Sequence, residues 1–99
     1  MIGYRFLSLA EEEMSEAAVF YDAVFVGLGS DFLEDVQQAI DMVRAHPEIG
    51  VRLDAKLRRA LLHRFPFNLI YAVETDAILI ISIAHHRQRP GYWTSRLTS

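Results

Sequence analysis

Cysteine is absent from these 99 residues, which removes disulfides, thiolate metal sites and a cysteine nucleophile. Lysine is almost absent: Lys56 stands alone beside nine arginines. Proline occurs three times, at Pro47, Pro66 and Pro90, and tryptophan once, at Trp93. No apolar run approaches the roughly 18 residues that a membrane-spanning helix needs. The longest strong one is Ala77 to Ile81, closed by Ser82. The opening Met1-Ile2-Gly3-Tyr4-Arg5 lacks the basic start and long apolar stretch of a secretory signal, so the expected compartment is the cytoplasm, with no membrane partner. The length allows one domain, taken as residues 1–99. An apolar content of 52% against 23% charged residues supplies a core and argues against disorder.

The net charge of -3 conceals a division along the chain. Residues 1–43 hold one base, Arg5, against nine acids, a net of -8, while residues 44–99 hold nine bases against four acids, a net of +5. All four histidines lie in the basic half. One surface is therefore expected to meet something anionic, unless acidic helices simply cover a sheet with basic edges.

The hydropathy pattern changes period twice. Tyr4 to Leu9 alternates and reads as a strand. Met14, Ala17, Ala18, Tyr21, Val24 and Phe25 then recur at helical spacing, with Glu11, Glu12 and Glu13 in the first turn. Gly27-Leu28-Gly29 breaks that helix, Ser30 and Asp31 offer caps, and Phe32, Leu33, Val36, Ala39, Ile40 and Val43 form a second stripe that stops before Pro47. Val51 to Lys56 is a linker or short strand. Arg58 to Phe65, Phe67 to Glu74 and Ala77 to His85 read as strands, with Thr75-Asp76 as a hairpin turn. The order β-α-α-β-β-β followed by a basic C-terminal tail predicts an α+β domain, a helical hairpin packed on a mostly antiparallel sheet.

Chemistry concentrates in the tail. His85, His86, Arg87, Arg89, Tyr92, Trp93 and Arg96 fall within twelve residues. Arginine forks pair with phosphates or carboxylates, and imidazoles relay protons. A metal-free ribonuclease would use such groups, and so would a surface that grips an acidic protein. Alternation along the first sheet strand puts Arg59 and His63 on one face, and Arg58 and Arg64 on the other, so one pair joins the tail. His85 and His86 point oppositely on a strand, and no HxH or HExxH spacing occurs, so no metal site is expected. No nucleotide-binding glycine loop appears, and no cofactor is expected. Tyr71 reads as a core aromatic.

The ordered set Glu16-Ala17 and Tyr21, Gly27-Leu28-Gly29 with Phe32-Leu33, His46-Pro47 with Gly50, Arg58-Arg59, Arg64-Phe65-Pro66-Phe67 and Ile70-Tyr71 resembles the RelE/ParE toxin superfamily. The closing Ala84-His85-His86-Arg87-Gln88-Arg89-Pro90-Gly91-Tyr92-Trp93 with Arg96 is similar to its ParE-like, plasmid-stabilisation branch. The resemblance implies a bacterial type II toxin, neutralised by a cognate antitoxin that wraps the helical hairpin and the sheet. DNA binding would then belong to the antitoxin, since no element here reads as a DNA-reading helix.

The superfamily divides on its target. ParE-like members poison DNA gyrase, and RelE-like members cut messenger RNA in the ribosome. The single lysine and the net charge of -3 favour the gyrase inhibitor, because ribosomal RNA rewards added bases. On that reading Arg59, Arg64, Arg87, Arg89, Trp93 and Arg96 bind the target. On the endoribonuclease reading His85, His86 and Tyr92 transfer protons, and Arg59, Arg64, Arg87 and Arg89 hold the phosphate. A third possibility is a module that keeps the fold and the antitoxin but harms nothing.

Overall fold

The computed structural model describes residues 2–97. β1 (Gly3–Phe6) leads into α1 (Ser8–Val24) and α2 (Leu28–Ala45), followed by β2 (Val51–Arg52), β3 (Leu57–Leu61), β4 (Phe67–Val73) and β5 (Ala77–His85). A 3-10 turn, Thr94–Leu97, closes the described chain. The strands form one mixed sheet in the order β1-β5-β4-β3-β2, parallel only where β1 meets β5. The expected α+β architecture is present, with β2 as a short additional strand. No helix among the described residues is long and apolar enough to cross a membrane.

Both faces of the sheet are covered. On one, Leu69, Tyr71, Ile78, Ile80 and Ile83 pack with Ala10, Phe32, Val36, Ile40 and Val43 from the helices. On the other, Leu57, Ile70, Ala72, Leu79, Ile81 and Ala84 are roofed by Trp93, with Leu7, Tyr92 and Leu97 at the margin. The apolar run in β5 is thus explained: it is the strand with a hydrophobic layer on each side. A bulge at Ile81 shifts the register, so that Ile70 pairs with Ser82 while Tyr71 pairs with Ile80. The extra residue puts Ile81 on the same face as Ser82's partner, Ile70.

The boundaries differ from the sequence reading in four places. β1 ends at Phe6 rather than Leu9, because Leu7 turns from the strand into α1, where Ala10 is fully buried. Ser30 and Asp31 do not cap α2. The helix starts earlier, at Gly27 with φ 92°, a conformation that suits glycine, and Asp22 of α1 accepts hydrogen bonds from Gly27 N at 3.1 Å and Gly29 N at 3.0 Å. A Cβ at Gly29 would lie 2.5 Å from Ala18 O, so glycine is what lets the two helices cross so closely. β3 ends at Leu61 rather than Phe65, since Asp35 draws the following turn onto α2 by accepting Arg64 N and Phe65 N, each at 2.9 Å. Finally, Val24 and Phe25 do not belong to the core stripe: they are 63% and 72% exposed at the end of the hairpin, beyond the sheet beneath.

Candidate functional site

β3 presents Arg59 on the face roofed by the tail, because it pairs with Ile70 and, two residues from each, shares a face with Leu57 and Leu61. Arg58 faces the opposite way, donating to Glu48 O at 3.0 Å and Gly50 O at 2.9 Å. His63 does not extend the Arg59 face, since the strand has already ended, and it lies exposed in the turn. Arg64 also stands apart from the tail: its guanidinium lies 3.8 Å from Asp31 and over the Phe65 ring, against the helix layer.

The tail leaves β5 at His85. That ring stands edge-on to Phe67, with centroids 5.0 Å apart, and its Nδ1 accepts Arg87 N at 3.0 Å. His86 is exposed, its amide donating to Pro66 O at 2.9 Å. Arg87 and Arg89 are exposed and carry no side-chain ion pair among the described residues. Gly91, at φ 84°, turns the chain back, and Trp93 packs beneath it at 9% exposure.

Arg59, His85, His86, Gln88, Pro90 and Trp93 line a groove of about 390 Å³, whose remaining walls are Leu53, Leu61, Asn68 and Ala84. No acid lines it. The Asn68 Oδ1 atom is buried there without a hydrogen-bond partner. On the other side of His85 lies a groove of about 370 Å³ that includes Glu13, Glu16, Phe20 and Tyr21. The charge division of the sequence therefore survives folding, as a basic groove and an acidic one separated by a histidine.

Two candidates from the tail are bound within the protein. Arg96 donates to both Glu13 oxygens, at 2.8 and 3.2 Å, and to Ile81 O at 2.9 Å. The Tyr92 phenol donates to Glu13, and Ser82 Oγ donates to the same carboxylate at 2.9 Å. Burial raises the Glu13 pKa, but the hydrogen bonds from Arg96, Tyr92 and Ser82 and the Arg96 charge outweigh it, holding the carboxyl below its ordinary 4.5. Burial and the bond to Glu13 push Tyr92 up to about 12. The Arg96–Glu13 ion pair is largely shielded, with side chains 12% and 18% exposed. Hydrogen bonds to charged groups of this kind contribute about 1.5–3 kcal/mol each.

The structure thus brings Arg59, His85 and His86 to one groove, leaves Arg87 and Arg89 exposed on the loop beside it in sequence, turns Trp93 into the roof, and leaves Arg64 elsewhere. Sequence reasoning missed Glu13, Ser82 and Asn68. Glu13 looked like one more acid in a helix start, and its partners lie 69 to 83 residues away. Among the described residues no group of three His, Asp or Glu side chains is gathered to hold a metal. Exposed apolar side chains are also conspicuous along α1 and the end of the hairpin: Val19, Phe20, Val24, Phe25 and Val26 are 62–87% exposed.

No curated protein matches the sequence significantly. Among solved structures, one chain of the chromosomal ParDE toxin–antitoxin system from P. aeruginosa superposes with a TM-score of 0.63, covering 86% of this chain and 96% of that one. At 18% identity this likeness speaks for the fold. The sequence itself matches the family described as ParE toxin of type II toxin-antitoxin system, parDE, over residues 4–90. That match takes in both helices, all of the sheet except the first residue of β1, and the tail as far as Pro90, and the chain belongs to the ParE toxin family.

Proposed function

We propose that this toxin arrests bacterial growth by gripping DNA gyrase through its basic tail, and that a cognate antitoxin holds it inactive. The observation that carries the reading is the capture of Tyr92 and Arg96 by Glu13. A ribonuclease built on this tail would need a proton donor or acceptor free to act near neutrality. Tyr92 instead has its proton directed at a carboxylate and its pKa pushed up to about 12, and Arg96 neutralises that same carboxylate. What remains is Arg59 with the imidazoles of His85 and His86 in a groove that no carboxylate lines, and Arg87 and Arg89 exposed on the loop that follows. Such a surface suits binding rather than bond cleavage.

The antitoxin half of the proposal draws on the family and on the exposed apolar side chains of α1 and the hairpin end, which form a surface fit for a partner. The P. aeruginosa structure is itself described as a ParDE system.

Pulse-labelling of DNA and protein synthesis after induction without antitoxin tests the target. DNA synthesis falls first on this reading, and the Arg87→Ala/Arg89→Ala double variant abolishes the fall. An earlier fall in protein synthesis with cut messenger RNA would overturn it in favour of the ribonuclease. Harmless strong expression would overturn it in favour of an inactive module.

A further inference from the structure

β5 loses its neighbour on one side after Ile80, because β1 ends at Phe6 and the chain turns into α1. A bare strand edge leaves backbone groups open, and folded proteins cover them. Here side chains take the place of a strand. Ile81 O accepts Arg96 Nη1 at 2.9 Å, Ile83 N donates to Glu13 Oε1 at 3.3 Å, and His85 N donates to Gln88 Oε1 at 2.8 Å. Glu13 then joins this edge to the tail, accepting from Arg96, Tyr92 and Ser82. One carboxylate on α1 therefore fixes both the strand edge and the segment that returns to it.

Residues 86–91 span the gap between the end of β5 and this anchorage, and they carry Arg87 and Arg89. Local bonds shape the near end: Gln88 N donates to His85 O at 3.0 Å, and Arg87 N to His85 Nδ1 at 3.0 Å. The far end depends on Trp93 in its roof and on the Glu13 network. A loop held at both ends presents its guanidinium groups in one arrangement. With one end released, the ordering cost would fall on the binding step.

We propose that Glu13 is the positioning residue of the basic loop, setting where Arg87 and Arg89 stand although it touches no target. The inference rests on the reading that these arginines grip gyrase. Glu13 acts through the tail, not on the partner, so its loss loosens residues 86–96 and disables the toxin together.

Glu13→Gln keeps the side-chain size and an acceptor while removing the charge. Native-state trypsin cleavage at Arg87–Gln88 reports loop order, and the inducer needed for half-maximal growth arrest reports toxicity. Tyr71→Phe is the control, because it removes bonds to Pro47 O and Gly50 N at the opposite part of the sheet and destabilises without touching the tail. We expect Glu13→Gln to be cut at least tenfold faster than wild type and to need at least tenfold more inducer. Tyr71→Phe, with an equal or lower Tm, stays near wild type on both. Where Glu13→Gln fails to fold by circular dichroism, Arg96→Met breaks the same network and is read in the same way. Unchanged cleavage, a loosened loop with wild-type toxicity, or an equal loss in Tyr71→Phe would each overturn the proposal. The Arg87→Ala/Arg89→Ala variant is run alongside: if it remains toxic, the grip itself fails, while the cleavage arm still decides whether Glu13 holds the loop.

Discussion

Asp35 and Glu13 are acids that reach across the chain to backbone the strand ladder leaves open. Asp35 is 2% exposed, and its Oδ2 accepts the amides of Arg64 and Phe65, which seats the Phe65 ring 4.8 Å from Tyr21 and 5.4 Å from Phe32. Asp35→Ala would leave two amides without their acceptor. At about 1–3 kcal/mol for each buried group left unsatisfied, we expect a loss of about 2–4 kcal/mol, measured as a lowered urea midpoint at unchanged slope. Glu13 makes stability depend on pH. Its folded pKa lies below 4.5, so the unfolded chain takes up the proton first; the stabilisation is complete above about pH 4.5 and is lost as pH falls through the folded value. Arg96 and Tyr92 face the carboxylate from the tail and Ser82 from β5, with Glu16 and His85 in the same groove. Glu13→Gln should therefore flatten the acid limb of urea midpoints between pH 3 and 6. An unchanged limb would remove Glu13 from the pH response. Neither acid was legible as special in the sequence, where both sit among other carboxylates on helices whose polar positions look alike. Tyr71 was legible, because a tyrosine inside an apolar strand has nowhere else to go, and it is fully buried.

At the scale of elements, periodicity carried most of the fold. The two helical stripes announce helices that form, although Val24, Phe25 and Leu33 of those stripes are exposed, and the apolar run of β5 and the Thr75-Asp76 turn form too, with Glu74 N donating to Ala77 O across the turn. The failures lie where a distant contact overrides a local pattern. β3 stops short because Asp35 of α2 takes the amides that would have continued the ladder. α2 begins at a left-handed glycine capped by α1, which no local cap residue signals. The tail is the clearest case: its composition reads as a basic cluster for binding or proton transfer, yet its second half roofs one face of the sheet. Trp93 consequently belongs to packing as much as to recognition. Trp93→Ala should cost about 3–5 kcal/mol of stability, visible as a fall in Tm, whereas Arg87→Ala should leave Tm within a few degrees. Equal Tm values for the two variants would mean that Trp93 does not support the roof.

Across the whole molecule, the acidic helices and the basic groove present two surfaces of different charge. The acidic helices expose Val19, Phe20 and the hairpin end, while the face roofed by the tail holds Arg59, His85 and His86 in a groove with no acid in its lining, and Arg87 and Arg89 are exposed on the tail. On the function proposed above, an antitoxin and a target would meet different chemistry on this protein, and the central claim concerns the target. The direct measurement is supercoiling of relaxed plasmid by purified gyrase with increasing toxin, scored for both lost supercoiling and accumulated cleaved DNA. The account predicts that wild-type toxin inhibits supercoiling and traps cleaved DNA, and that Arg87→Ala/Arg89→Ala and Glu13→Gln do so at least tenfold less well. Full gyrase activity at toxin concentrations that arrest growth would contradict it.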